Sequence, residues 1–145
     1  RSTPKPSSAA SDVYKRQVIK SSKSLVEEAL KEIETLDPLK VKELYEKEKC
    51  TLVDIRDIRE LWRDGSIKDA MHIPRGMLEF WIDPDSHYHK DIFNQNKTYV
   101  FYCASAWRSA LSAKTSIEMG LNPVVHLEGG FSAWKKAGQP IEEVE

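Results

Sequence analysis

Three short runs constrain this chain most: residues 51–55 (TLVDI), 98–102 (TYVFY) and 123–127 (PVVHL), which are continuously rather than alternately apolar. A strand with one wet face alternates in polarity, whereas a strand buried on both faces does not. Segments of helical periodicity separate the runs. That interleaving predicts an α/β fold: a parallel sheet of about five short strands with helices on both faces. A fourth strand is expected at residues 70–73, stopped by Pro74.

The helices follow from apolar spacing and stop signals. Leu25, Val26, Ala29, Leu30 and Ile33 fall on one helical stripe, with Ser24 available as a cap. The pair Asp37-Pro38 breaks that helix and opens a second, to residue 47, expected to bury Leu39, Val41, Leu44 and Tyr45. Further helices are expected at 57–65, closed by Gly65, at 109–119 and at 130–137. Between residues 75 and 96 runs a long connection carrying Phe80, Trp81, Tyr88 and Phe93, expected to hold short helices. Connections of that length in a compact domain are more often functional than idle.

Composition narrows the function classes. At 145 residues, with 40% hydrophobic and 31% charged residues, the chain has enough material for one substantial core. Residues 1–17 lack hydrophobic periodicity and read as a disordered tail; SSAASDVYKRQ within them resembles the in-frame translation of a sequencing-library adapter. Residues 18–37 then form a helical extension, and 38–145 the main domain. No apolar run approaches the roughly 18 residues of a membrane span. A net charge of −1 argues against nucleic acid or an anionic membrane as partner. Two cysteines are too few for a disulfide scaffold, so a reducing, cytoplasmic setting is expected. His72, His87, His89 and His126 lack metal-ligand spacing, and neither a metal nor a cofactor is expected.

Chemistry concentrates in YVFYCASAWRS, residues 99–109, where Cys103 ends a buried strand and a small-residue loop leads into a helix. Ligands of open parallel sheets bind at the carboxyl ends of strands. There the backbone N–H groups of Ala104, Ser105, Ala106, Trp107, Arg108 and Ser109 and the helix start favour negative charge, and such surroundings activate a thiolate. Arg108 adds a permanent planar cation suited to an oxyanion. A strand-end cysteine is as often plain core, so the loop alone leaves nucleophile and core evenly weighted. Cys50 reads as a half-buried strand-entry residue rather than a second reactive thiol. Asp54 and Arg56 can pair, either to order the loops near the pocket or as a solvated pair. Gly129-Gly130 permits a tight strand-to-helix turn beside the loop, with Phe131 and Trp134 packing on the core.

Taken together, residues 52–76 (LVDIRDIRELWRDGSIKDAMHIPRG), the Cys-x4-Arg-Ser loop and residues 126–141 (HLEGGFSAWKKAGQPI) resemble a rhodanese-like domain across roughly residues 41–143. Ser66 stands where that family often has His, His72 where it often has Asn, and Ala106 where a loop glycine is common. The resemblance implies a sulfurtransferase: Cys103 takes sulfur from thiosulfate or a persulfide donor and passes it to a thiol, to cyanide or to a protein acceptor. In that reading Cys103 and Arg108 are catalytic. The loop residues Ala104, Ser105, Ala106, Trp107 and Ser109 bind substrate, and Met77, Phe80 and Trp81 form one pocket wall. Two rivals stand beside it: a cysteine phosphatase or arsenate reductase, and a non-catalytic docking module. Only four residues separate Cys103 from Arg108, a ring better suited to one sulfur atom than to a tetrahedral oxyanion.

Overall fold

The computed structural model describes Gln17 and residues 19–145. Apart from Gln17, the expected tail therefore lies outside the described residues. Along the rest run α1 (Ser22–Glu32), β1 (Glu34–Leu36), α2 (Pro38–Glu46), β2 (Cys50–Asp54), α3 (Ile58–Asp64) and β3 (Met71–His72). After these come α4 (Leu78–Ile82), β4 (Thr98–Tyr102), α5 (Trp107–Glu118), β5 (Val124–Leu127) and α6 (Gly130–Lys136). Two short 3₁₀ turns, Arg75–Met77 and Asp91–Asn94, flank α4 in the long connection, as its broken pattern implied.

Among the described residues five strands form one parallel sheet in the order β1-β5-β4-β2-β3. The central strand β4 explains the apolar runs. Tyr99, Phe101 and then Cys103 point to the face covered by α1, α4 and α5, while Val100 and Tyr102 point to the face covered by α2 and α6. Both faces are dry, so period-two alternation loses its polar half. Each fully buried Val, Leu, Ile or Phe in these clusters contributes roughly 1.5–3 kcal/mol.

Local chemistry sets the helix ends. Asp57 caps α3 by accepting from the Arg59 amide at 2.8 Å, and Glu60 reaches back to accept from the Asp57 amide at 3.0 Å. This reciprocal box satisfies two amides that a helix start leaves free. Gly65 closes α3 as expected, at φ +84°. Asp37 caps α2 by accepting from Lys40 N, with Pro38 in the first turn.

Three expectations need correction. The cap of α1 is Ser21, whose hydroxyl accepts from Ser24 N, so Ser24 is inside the helix. Leu39 is exposed, and α2 fully buries only Val41, with Leu44 and Tyr45 half-buried, because so short a helix presents one narrow stripe to the sheet. The fifth strand is β1, paired to β5 through Glu34, Thr35 and Leu36 at the sheet edge. It lies within the segment read as helical extension, and its exposed polar residues gave no apolar run to read.

Candidate active site

Cys103 is the first residue past β4 and is 1% exposed. The loop behind it is pinned to α6: the Cys103 carbonyl accepts from Phe131 N at 2.7 Å and the Ala104 carbonyl from Ser132 N at 3.1 Å. So close an approach requires glycine at position 130. Its φ is +61°, and a Cβ there would sit 2.5 Å from the carbonyl oxygens of both Cys103 and Ser105. Ala106 has φ −162°, outside the left-handed region that favours glycine, so this loop has no need of a glycine at that position.

α5 begins at Trp107, so the first-turn N–H groups of Trp107, Arg108 and Ser109 lack intrahelical acceptors and gather positive potential next to the cysteine. The fully buried Ser109 returns beneath the loop and places its Oγ 3.4 Å from Cys103 Sγ. The same hydroxyl lies 2.7 Å from His126 Nε2. The β4–β5 register sets Phe101 against His126, which carries the imidazole to the face where Cys103 emerges. Burial holds the His126 pKa below the usual histidine range, only partly offset by its contact with the Ala106 carbonyl.

Arg108 stands at the rim. Its guanidinium grips Glu60 with two hydrogen bonds, Nη1 to Oε2 at 2.7 Å and Nη2 to Oε1 at 3.0 Å. That fork depresses the Glu60 carboxyl and raises Arg108, to which the neighbouring Cys103 side chain adds. Glu60 thus serves two elements at once, capping α3 and anchoring the cation of the loop. Of the other loop residues, Ser105 and Trp107 are exposed, Trp107 by 71%, while Ala104 and Ala106 are half-buried.

Asp54 and Arg56 form a buried pair, not a solvated one. Arg56 Nη2 donates to Asp54 Oδ2 at 2.7 Å and to the Gly65 carbonyl at 2.8 Å, and its guanidinium lies 4.2 Å from the Phe131 ring centre. Ser66 continues the network, 3.2 Å from Asp54 Oδ2 and 3.0 Å from the Tyr102 hydroxyl. His72 Nε2 meets the Arg56 carbonyl at 2.7 Å. These contacts fix the turn after β2, and with Arg108 it lines a groove of about 390 Å³ that includes Ile55, Ile58, Pro74 and Arg75.

The expected wall residues separate. Trp81 is half-buried against the same core cluster as Cys103, with Lys90 Nζ 5.0 Å above its ring; Met77 is half-buried and Phe80 is 51% exposed. Cys50 is half-buried, as read, and burial pushes its pKa up to about 11. Among the described residues no three His, Cys, Asp or Glu side chains gather as a metal site, and no helix is long and apolar enough to cross a membrane.

Sequence reasoning missed Glu60 and the contact between His126 and Ser109. Glu60 had a visible signal, the Asp-x-x-Glu spacing of a capping box, but its partner is 48 residues away. His126 had none, since one imidazole in an apolar strand is indistinguishable from core.

A strand-end cysteine cradled by a four-residue loop, at the centre of a five-stranded parallel sheet, defines a class of domain. The family model for the rhodanese-like domain matches residues 37–137, and the chain belongs to that family. Among curated relatives, a thiosulfate sulfurtransferase, GlpE, from Actinobacillus pleuropneumoniae is 29% identical over 107 residues, which is 74% of this chain and 91% of the relative. An uncharacterised protein from Synechocystis is 32% identical over 106 residues, 73% of this chain, and the chain spans 54% of its length. Among solved structures, a protein of unknown function from Rhodopseudomonas palustris, described as a possible tyrosine phosphatase, is 50% identical with a TM-score of 0.84, covering 88% of this chain and 98% of that one. The polysulfide-sulfur transferase homodimer of Wolinella succinogenes is 30% identical with a TM-score of 0.65, covering 85% and 88%.

Proposed function

We propose that this protein is a sulfurtransferase working through a persulfide on Cys103. The Cys103 thiolate attacks the outer sulfur of thiosulfate or of a persulfide donor. An S–S bond forms to Cys103 as the donor's own bond to that sulfur breaks, and sulfite or the donor thiolate leaves with the electron pair. A thiol, cyanide or protein thiolate then attacks the terminal sulfur and Cys103 leaves as thiolate. Two half-reactions on one nucleophile give ping-pong kinetics. Amides of Ala104, Ser105, Ala106 and Trp107 stabilise the bound sulfur, and Arg108 receives the donor's anionic end. Of the expected wall residues, Met77 and the exposed Phe80 flank the approach of the acceptor, while Trp81 packs on the core behind them.

The observation that carries this reading is the small ring: Cys103 at its floor, Arg108 held at its rim by Glu60, and four residues between them. The relatives named sulfurtransferases support it, while the Rhodopseudomonas description favours phosphate-ester chemistry. Intact-mass spectrometry decides. After thiosulfate, a gain of one sulfur on Cys103 that cyanide removes is expected. An unchanged mass together with turnover of p-nitrophenyl phosphate establishes the phosphatase reading instead, and neither signal leaves a docking module.

A further inference from the structure

The Ser109 hydroxyl has one proton and three neighbours: Cys103 Sγ at 3.4 Å, the Ala106 carbonyl at 3.2 Å and His126 Nε2 at 2.7 Å. Which neighbour receives that proton depends on the His126 tautomer. His126 is 1% exposed, its Nε2 also faces the Ala106 carbonyl at 3.1 Å, and its Nδ1 is buried without a partner. Were the proton on Nδ1, a buried N–H would have no acceptor and two lone pairs would confront one another across Nε2 and the carbonyl. Such an orphaned buried donor carries its full desolvation cost with nothing to offset it. With the proton on Nε2, the ring donates to Ser109 Oγ and to the Ala106 carbonyl, and only a lone pair is left bare.

We infer that His126 is a positioning residue: its Nε2–H occupies the acceptor side of Ser109 Oγ and so turns the Ser109 proton onto the sulfur of Cys103. The inference rests on Cys103 acting as the nucleophile of the proposed transfer. Ser109 then touches the reacting atom and His126 acts through it. A hydrogen bond to a charged acceptor is about twice as strong as one between neutral groups, so the hydroxyl prefers an anionic sulfur to the Ala106 carbonyl. Burial supports the arrangement by keeping His126 neutral, with a single donor to spend. Arg108 acts on the same sulfur from the exposed rim, and Ser109 with His126 from the interior.

The test reads the thiolate directly and needs no sulfur donor, so its failure leaves the sulfurtransferase reading standing. In a Cys50→Ala background, iodoacetamide alkylation of Cys103 at pH 7 is followed by intact mass. Ser109→Ala and His126→Leu should each slow alkylation about tenfold, the loss of one hydrogen bond to a charged group. His126→Gln, whose side-chain amide can donate from the Nε2 position, should recover most of the rate. His126→Leu alkylating at the unsubstituted rate overturns the inference, as does His126→Gln proving as slow as His126→Leu. The unsubstituted protein supplies an independent reading if a variant fails to fold. Imidazole ¹⁵N shifts should report neutral His126 protonated on Nε2, and protonation on Nδ1 overturns the inference.

Discussion

Cys103 and Cys50 are both free thiols, but they meet opposite surroundings. Cys103 lies beside Arg108, Ser109 and the first turn of α5, whereas Cys50 is desolvated at the entry of β2 and protonated at neutral pH. Cys103→Ala should therefore abolish sulfur transfer and leave the fold intact, while Cys50→Ala should leave turnover nearly unchanged. Equal loss of activity in both variants, at unchanged melting temperature, would replace the single-nucleophile mechanism with a two-thiol one. Arg108 makes its own demand. Glu60 takes two parallel hydrogen bonds from the guanidinium, which a compact ammonium cannot reproduce. Arg108→Lys should lower kcat/KM for thiosulfate by about tenfold or more, the scale of one lost charge-assisted contact. Steady-state kinetics matching the unsubstituted enzyme would reduce Arg108 to a surface tie between α3 and α5.

The elements around the loop act through one tight junction. α6 donates two backbone hydrogen bonds to the loop, and only glycine at position 130 lets the two backbones come that close. Gly130→Ala should cost about 1–3 kcal/mol from the left-handed backbone alone, with more for the displaced carbonyls. Melting temperature and transfer rate should fall together, and a loss of stability with full activity would mean the junction does not position the loop. The long connection separates its aromatics by burial. Trp81→Ala should cost about 2–3 kcal/mol, less than a fully buried aromatic, and leave acceptor preference alone. The half-exposed Phe80→Ala should change the ranking of thiol acceptors at little cost in stability; denaturation and acceptor assays on both variants check the division. This junction also shows what was legible. β2, β4 and β5 announced themselves because double burial makes a strand apolar throughout, and Cys103 and the Gly129-Gly130 turn could be placed from those strands. β1 could not, since Glu34, Thr35 and Leu36 join the sheet through backbone pairing that side chains do not advertise. Glu60 and His126 reach the site through tertiary contact, which spacing along the chain cannot reveal.

Across the whole molecule, the groups that organise the site also set its response to acid. His126 is held neutral by burial, so its folded pKa lies below that of the unfolded chain. Above the unfolded value, about 6.5, both states are neutral at this residue and its burial carries no pH-dependent penalty. As the pH falls below that value the unfolded chain takes up a proton that the native state resists, and stability is lost until the folded pKa is passed. Glu60 acts lower on the scale. Its bonds to Arg108 depress the carboxyl, so the stability they lend is complete above the ordinary carboxylate pKa of about 4.3 and is lost as the pH falls through the folded value. Arg108 keeps its charge throughout. Acid should therefore weaken the fold in two stages, the first near the histidine range and the second in the carboxylate range. Urea denaturation between pH 8 and pH 3 should show both. His126→Gln should remove the first stage and leave the second, and Glu60→Gln should blunt the second and leave the first. If His126→Gln retains the loss below pH 6.5, that stage belongs to another titrating group, and the burial of His126 is not what sets the first response to acid.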